Sequence, residues 1–222
     1  MPSIGQASNC GWGLGLRSIT VLLVASACAS MLVFGSVVAT AQKADELRSA
    51  SEFSTIQDPG MRSRALFTEA AKVIMHPRCM NCHPATDRPT QGNDQHIHMP
   101  PVVGGASGGG VAGNTCSACH TERNVTLRDK ASYASIPGNP RWGLAPIEMA
   151  WQGKSVGEIC AQLKDTARNG GRDLTLLHEH FAKGELVGWG WDPGTGRAPV
   201  PGTQKQLGDL IQAWIDTGAQ CP

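Results

Sequence analysis

Apolar residues recur at helical spacing in four stretches of the chain and alternate at strand spacing over no useful length. In residues 61–75, Leu66, Ala70, Val73 and Ile74 share one face, and Pro77 stops the helix just beyond. Over residues 155–169, Val156, Ile159, Cys160 and Leu163 form a stripe. Ser155 and Glu158 have capping-box spacing at its start, and Gly170-Gly171 marks its end. A third helix is predicted over 174–183, with Asp173 as its cap and Gly184 closing it. The wheel places His180 inside the apolar arc of Leu176, Leu177 and Phe181, with His178 at the arc's edge. The fourth runs over 204–217, where Leu207, Leu210, Ile211, Trp214 and Ile215 trace a face ended by Gly218.

Between these stretches the pattern is loop-like. Residues 84–115 include a run from 104 to 110 with five glycines, which cannot sustain a helix or a packed strand. Residues 135–146 and the loop holding Trp189 and Trp191 are also rich in proline and glycine. The expectation is a mostly α domain over 61–222, with long Gly/Pro-rich loops and little or no β-sheet. Residues 42–60, broken by Asp58-Pro59-Gly60, read as a linker.

The pattern before residue 42 differs in kind. Arg17 precedes an apolar run over 19–39, and Ala39-Thr40-Ala41 matches a signal-peptide cleavage site. Residues 1–41 are read as a signal peptide cleaved after Ala41. The alternative is an uncleaved membrane anchor, because the run is about long enough to span a bilayer. Cys28 gives only a weak lipoprotein resemblance. Each reading puts the remainder outside the cytoplasmic membrane, in the periplasm, with membrane attachment only if the leader stays.

Charge adds an exclusion. The 222 residues carry 19 Lys and Arg against 18 Asp and Glu, and removing Arg17 with the leader leaves 18 of each. That balance makes no case for nucleic acid as a partner.

Cysteine spacing supplies the chemistry. Cys79-Met80-Asn81-Cys82-His83 and Cys116-Ser117-Ala118-Cys119-His120 are both C-x-x-C-H pentapeptides, the pattern of c-type haem attachment. Two thiols three residues apart on one helical turn reach both attachment carbons of one haem edge. The following histidine, His83 or His120, then serves as proximal iron ligand. The expectation is two haem c groups on Cys79, Cys82, Cys116 and Cys119. The 37 residues from Cys79 to Cys116 are too few for a single-haem domain per motif, so one domain holds both. The competing reading is a four-cysteine zinc module, which leaves both histidines unexplained. Of the eight cysteines, Cys10 and Cys28 lie in the leader, and Cys160 with Cys221 is left as a disulfide candidate or two buried thiols.

Distal ligands are drawn from the remaining histidines and methionines. His96-Ile97-His98-Met99 lies between the motifs, and His98 is favoured there over His96 and Met99. His180 is the second choice, on its apolar arc. Met149 is a weaker candidate, and His76 is read either as a ligand, as a propionate partner or as a surface residue. Trp142, Trp151, Trp189 and Trp191 suit haem faces or ordinary packing equally.

The run Met75-His76-Pro77-Arg78-Cys79-Met80-Asn81-Cys82-His83-Pro84 resembles small exported proteins labelled isoquinoline 1-oxidoreductase subunit. The resemblance continues through Cys116 to His120, Leu163 to Gly171, Trp189-Gly190-Trp191-Asp192-Pro193-Gly194 and Ala213 to Pro222, covering about residues 62–222. It implies an accessory di-haem cytochrome that accepts electrons from a molybdenum hydroxylase, and does not itself carry hydroxylase activity. The expected function is therefore periplasmic electron transport with a redox protein as partner. The alternatives are a small di-haem enzyme of peroxidase type and the zinc-binding structural module.

Overall fold

The computed structural model describes residues 46–128 and 134–222. The leader, its cleavage site and the first residues of the expected linker lie outside the described residues. All that follows concerns the compact unit Gln42–Pro222.

This unit is mostly α, as the apolar spacing predicts. Helices α1 (Pro59–Ile74), α3 (Val156–Lys164), α4 (Leu174–Lys183) and α6 (Gln204–Asp216) form the framework, with single turns α2 (Pro77–Met80) and α5 (Glu185–Gly188) beside them. Helix α6 is central, packing against both α1 and α4. Its Leu207, Leu210, Ile211 and Trp214 are fully buried, and Phe67 of α1 meets Trp214 with ring centroids 5.0 Å apart. Polar groups secure the same junction. The Ser63 hydroxyl donates to the Trp214 carbonyl at 3.1 Å and accepts from the Gln220 amide at 2.9 Å. Gly208 allows α4 to come close, since a Cβ there would lie 2.7 Å from the Ala182 Cβ.

The caps agree with the residues that predict them. Ser155 and Glu158 make the reciprocal capping box of α3, and Asp173 accepts from the Leu176 amide at the start of α4. Asp58, expected only as part of a break in the linker, caps α1, which therefore begins at Pro59. Cys160 of α3 and Cys221, just beyond α6, form a disulfide, with Cα atoms 5.6 Å apart.

Three local differences stand out. Helix α3 ends at Lys164 and not near residue 169, because Asp165 turns extended and its carboxylate caps a separate 3-10 turn, Thr166–Arg168. Leu176 is 49% exposed, so the buried arc of α4 is centred on Leu177 and Phe181. The expected linker is packed down over its described part. Leu47 and Phe53 are buried against the helical core, and a 3-10 turn, Ala50–Phe53, carries Phe53 inward.

Strand structure among the described residues is confined to three two-residue ladders. They pair β1 (Thr90–Gln91) with β2 (His96–Ile97), β3 (Gly110–Val111) with β4 (Asn114–Thr115), and β5 (Val125–Thr126) with β6 (Ser135–Ile136), all antiparallel. They pin the long loops without building a sheet. The glycine-rich run is tied down as well. The Gly108 carbonyl accepts from the Leu144 amide at 2.8 Å, an approach a side chain at Gly108 would block. Among the described residues, no helix is long and apolar enough to cross a membrane.

Candidate functional site

Both cysteine pairs sit on tight turns. His76 caps α2 through its Nδ1, which accepts from the Arg78 amide, and the turn runs on through Cys82 and His83 by bonds to the Cys79 and Met80 carbonyls. Cys116 opens a 3-10 turn, Cys116–Ala118, and the amides of Cys119 and His120 both return to the Cys116 carbonyl. In each motif the two thiols therefore share one turn, and all four are free. The motifs adjoin. Burial pushes the Cys79 thiol up to about 12 and the Cys82 thiol up to about 11, and the charge that Cys116 would carry raises Cys82 further.

The two motif histidines are held alike. His83 Nδ1–H donates to the Met149 carbonyl at 2.8 Å, and His120 Nδ1–H donates to the Pro137 carbonyl at 2.7 Å. A bond of that kind fixes the tautomer and leaves the Nε2 lone pair outward for a metal. An indole lies on each imidazole. Trp151 stacks on His83 with centroids 3.6 Å apart and planes within 3°, and Trp142 on His120 at 4.7 Å and 17°. Trp189 meets Trp142 edge-on at 4.8 Å.

One stretch, residues 137–151, supplies both carbonyls and both indoles. It is laced to the first motif, where the His83 carbonyl accepts from the Trp151 and Gln152 amides and the Cys82 carbonyl from the Ala145 amide. At the second motif, Asn124 organises the surroundings. Its Oδ1 accepts from the Gly138 amide and from Trp189 Nε1–H, while its Nδ2–H donates to the Asp192 carbonyl. Gly138 lies so close to the Thr121 and Arg123 carbonyls that any Cβ would overlap them.

Each motif histidine has a second histidine near it. His83 and His180 line one cleft of about 330 Å³, part of it open to solvent, together with Met149, Trp151 and Phe181. Burial lowers His83 to about 4, partly opposed by the Met149 bond and reinforced by the charge of His180. Burial, with the charge of Arg172, lowers His180 to about 4 as well. Both imidazoles are neutral at pH 7, the form a metal takes. His98 stands beside His120 with ring centroids 5.9 Å apart. Its Nδ1–H donates to the Pro100 carbonyl at 2.9 Å, so its Nε2 is also free. Burial lowers His120 too, and the nearby charges of His98 and Arg197 add to that.

The other candidates are placed differently. His96 is exposed at the end of the β1–β2 hairpin, with Nδ1 bonded to Asp94 at 2.6 Å and Nε2 to Gln91 Nε2 at 3.0 Å. Met99 is exposed. Met149 lines the His83 cleft, although its carbonyl is the group in direct contact with that histidine. His178 lies on the α6 side of α4, near Gly208. Among the described residues, no group of three or more His, Cys, Asp and Glu converges on a common point as a zinc cage requires.

The indole stacks and the carbonyl acceptors were not legible from spacing. A backbone carbonyl has no residue identity to read, and tryptophans 22 and 68 residues from their histidines give no periodic signal. The chain matches none of the family models, curated proteins or solved structures with which it was compared.

Proposed function

We propose that this chain is a di-haem c-type cytochrome that carries electrons. The observation that supports it most strongly is the shared setting of His83 and His120. Each follows a pair of free thiols on one turn, and each directs Nδ1–H to a backbone carbonyl so that Nε2 is left for iron. An imidazole standing perpendicular to a haem keeps its faces clear of the macrocycle, so the indole stacks are compatible with ligation. The residues therefore fit the group.

In this reading Cys79, Cys82 and His83 hold one haem c and Cys116, Cys119 and His120 the other. His180 and His98 are the distal ligands of the first and second. The rings of His98 and His120 lie 5.9 Å apart, so both could hold the second group if it were bound. The bound groups supply a one-electron couple each. The chain's own part is to fix the motif imidazoles in orientation and to favour neutral His83 and His180 by burial, and His180 and His98 would close the sites to substrate. Filled axial positions make a carrier and not a catalyst. The resemblance supplies the rest of the proposal: export to the periplasm and a redox protein partner, with a molybdenum hydroxylase as electron donor.

A pyridine haemochrome assay on the exported protein tests this directly. The expected result is two haems per chain and a low-spin reduced spectrum that carbon monoxide leaves unchanged. Zinc without covalent haem would overturn the proposal in favour of the structural module. Rapid peroxide turnover by the isolated holoprotein would overturn it in favour of the enzyme.

A further inference from the structure

Among the described residues, two arginines beside these motifs have no anion to face. Arg78, between the His76 cap and Cys79, is only 5% exposed. It donates through Nη2 to the Asn93 side-chain carbonyl, while its buried Nε has no partner. Arg197 is half-buried and gives Nη1 to the Ser135 hydroxyl at 2.6 Å and Nη2 to the Ser135 carbonyl at 2.7 Å. All these acceptors are neutral. Among the described residues, neither arginine belongs to any of the ion pairs.

The two cations also repel each other. Arg78 is held below its ordinary value by burial first and by the charge of Arg197 next. A guanidinium cannot relieve this by losing its proton, and a buried charge is ordinarily paired. The position of the pair says which sites it serves. Arg78 adjoins the first motif thiol, and Arg197 is bonded to Ser135, two residues before the Pro137 carbonyl that holds His120 of the second motif. By contrast Arg168, on the rim of the His83 cleft, is exposed and solvated.

We propose that Arg78 and Arg197 form a carboxylate-binding pair for haem propionate at the junction of the two motifs. The inference rests on the di-haem reading. Each haem c brings two propionates, and the planar guanidinium fork matches a carboxylate in shape and charge. The free Nε of Arg78 is a donor for such a group, and a bound carboxylate removes the repulsion between the arginines. Because ferric haem is the more positive form, the pair favours the reduced state and raises the reduction potential.

The test uses full-length holoprotein, with haem counted before potentials are measured. Arg78→Gln and Arg197→Gln should each shift the reduced-to-oxidised ratio at a fixed applied potential roughly tenfold toward oxidised, about 59 mV for one electron. Each should also make the potential fall with rising pH, since the propionate that has lost its partner takes up a proton on reduction. Arg78→Lys keeps the charge and should retain most of the potential. Arg88→Gln, at an exposed position, should change nothing. Two haems per chain, with Arg78→Gln and Arg197→Gln both matching Arg88→Gln in potential and pH slope, would overturn the pair. If Arg78→Gln does not accumulate, an unshifted potential in Arg197→Gln is sufficient to overturn it. A wild-type chain without haem fails earlier, at the haem count, and removes the di-haem reading and this inference together.

Discussion

Trp151 lies flat on the imidazole of His83, with ring centroids 3.6 Å apart and planes 3° apart. The same histidine is tethered at Nδ1 to the Met149 carbonyl, two residues before that tryptophan. The tether sets the direction of the ring and the indole limits its rotation.

Trp151 is 5% exposed, whereas Trp142, which stacks less closely on His120, is half-buried. Replacing Trp151 with Leu should therefore cost about 2–4 kcal/mol of stability, and the same change at Trp142 clearly less. Denaturant titration of the two variants against wild type measures the difference. Equal losses would mean that burial does not control the contribution of the stack.

The proposed distal ligands, His180 and His98, predict distinct spectra. His180→Ala and His98→Ala should each open one haem of two to carbon monoxide and leave the other low-spin. His96→Ala should leave both closed, because its ring nitrogens are already bonded to Asp94 and Gln91. A carbon monoxide difference spectrum, quantified per haem, distinguishes these outcomes.

The Cys160–Cys221 disulfide closes a loop across a sequence separation of 61 residues. In the chain-entropy account, a double change to Ala should lose about 4 kcal/mol. Thiol reduction of the wild-type protein should lower its denaturation midpoint to match, and it should leave the double variant unaffected.

Glu158 is held below the usual carboxylate value by hydrogen bonds from the Ser155 amide and hydroxyl. A depressed carboxylate contributes stability that is present above its unfolded value and lost as pH falls through the folded one. Ser155→Ala removes the hydroxyl and a cap worth about 1 kcal/mol, and should flatten the acid limb of the stability profile. Urea melts at a series of pH values below 5 should show the smaller slope.

Gly208→Ala should destabilise by about 1–3 kcal/mol, because the new methyl meets Ala182 where α4 approaches α6. Thermal melts of this variant against Gly153→Ala separate overlap from backbone strain, since a Cβ at Gly153 meets nothing.

Helix faces were legible because α3, α4 and α6 bury one stripe each, and α3 and α4 begin at capping residues that the spacing identifies. The segment 46–58 was not, because Leu47 and Phe53 are isolated apolar residues in a polar run, and only the finished core explains their burial. At the site, the two pentapeptides could be read from residue types, and the wheel pointed to the face of α4 that carries His180. Pro137, Met149 and Gly138 could not. They act through backbone carbonyls or through the lack of a side chain, and only the folded chain shows which carbonyl meets which imidazole. Arg78 and Arg197 look like ordinary surface cations in a sequence. Burial without a counterion is a property of three dimensions.

The stretch 137–151 touches both motif histidines by carbonyl and by indole. A strap common to two sites couples their tolerances. A shift of the whole strap would displace the carbonyl and the indole of both imidazoles together. Changes on α4, beside His83, or in the residues after β2 that carry His98, beside His120, adjust a single site without touching the strap.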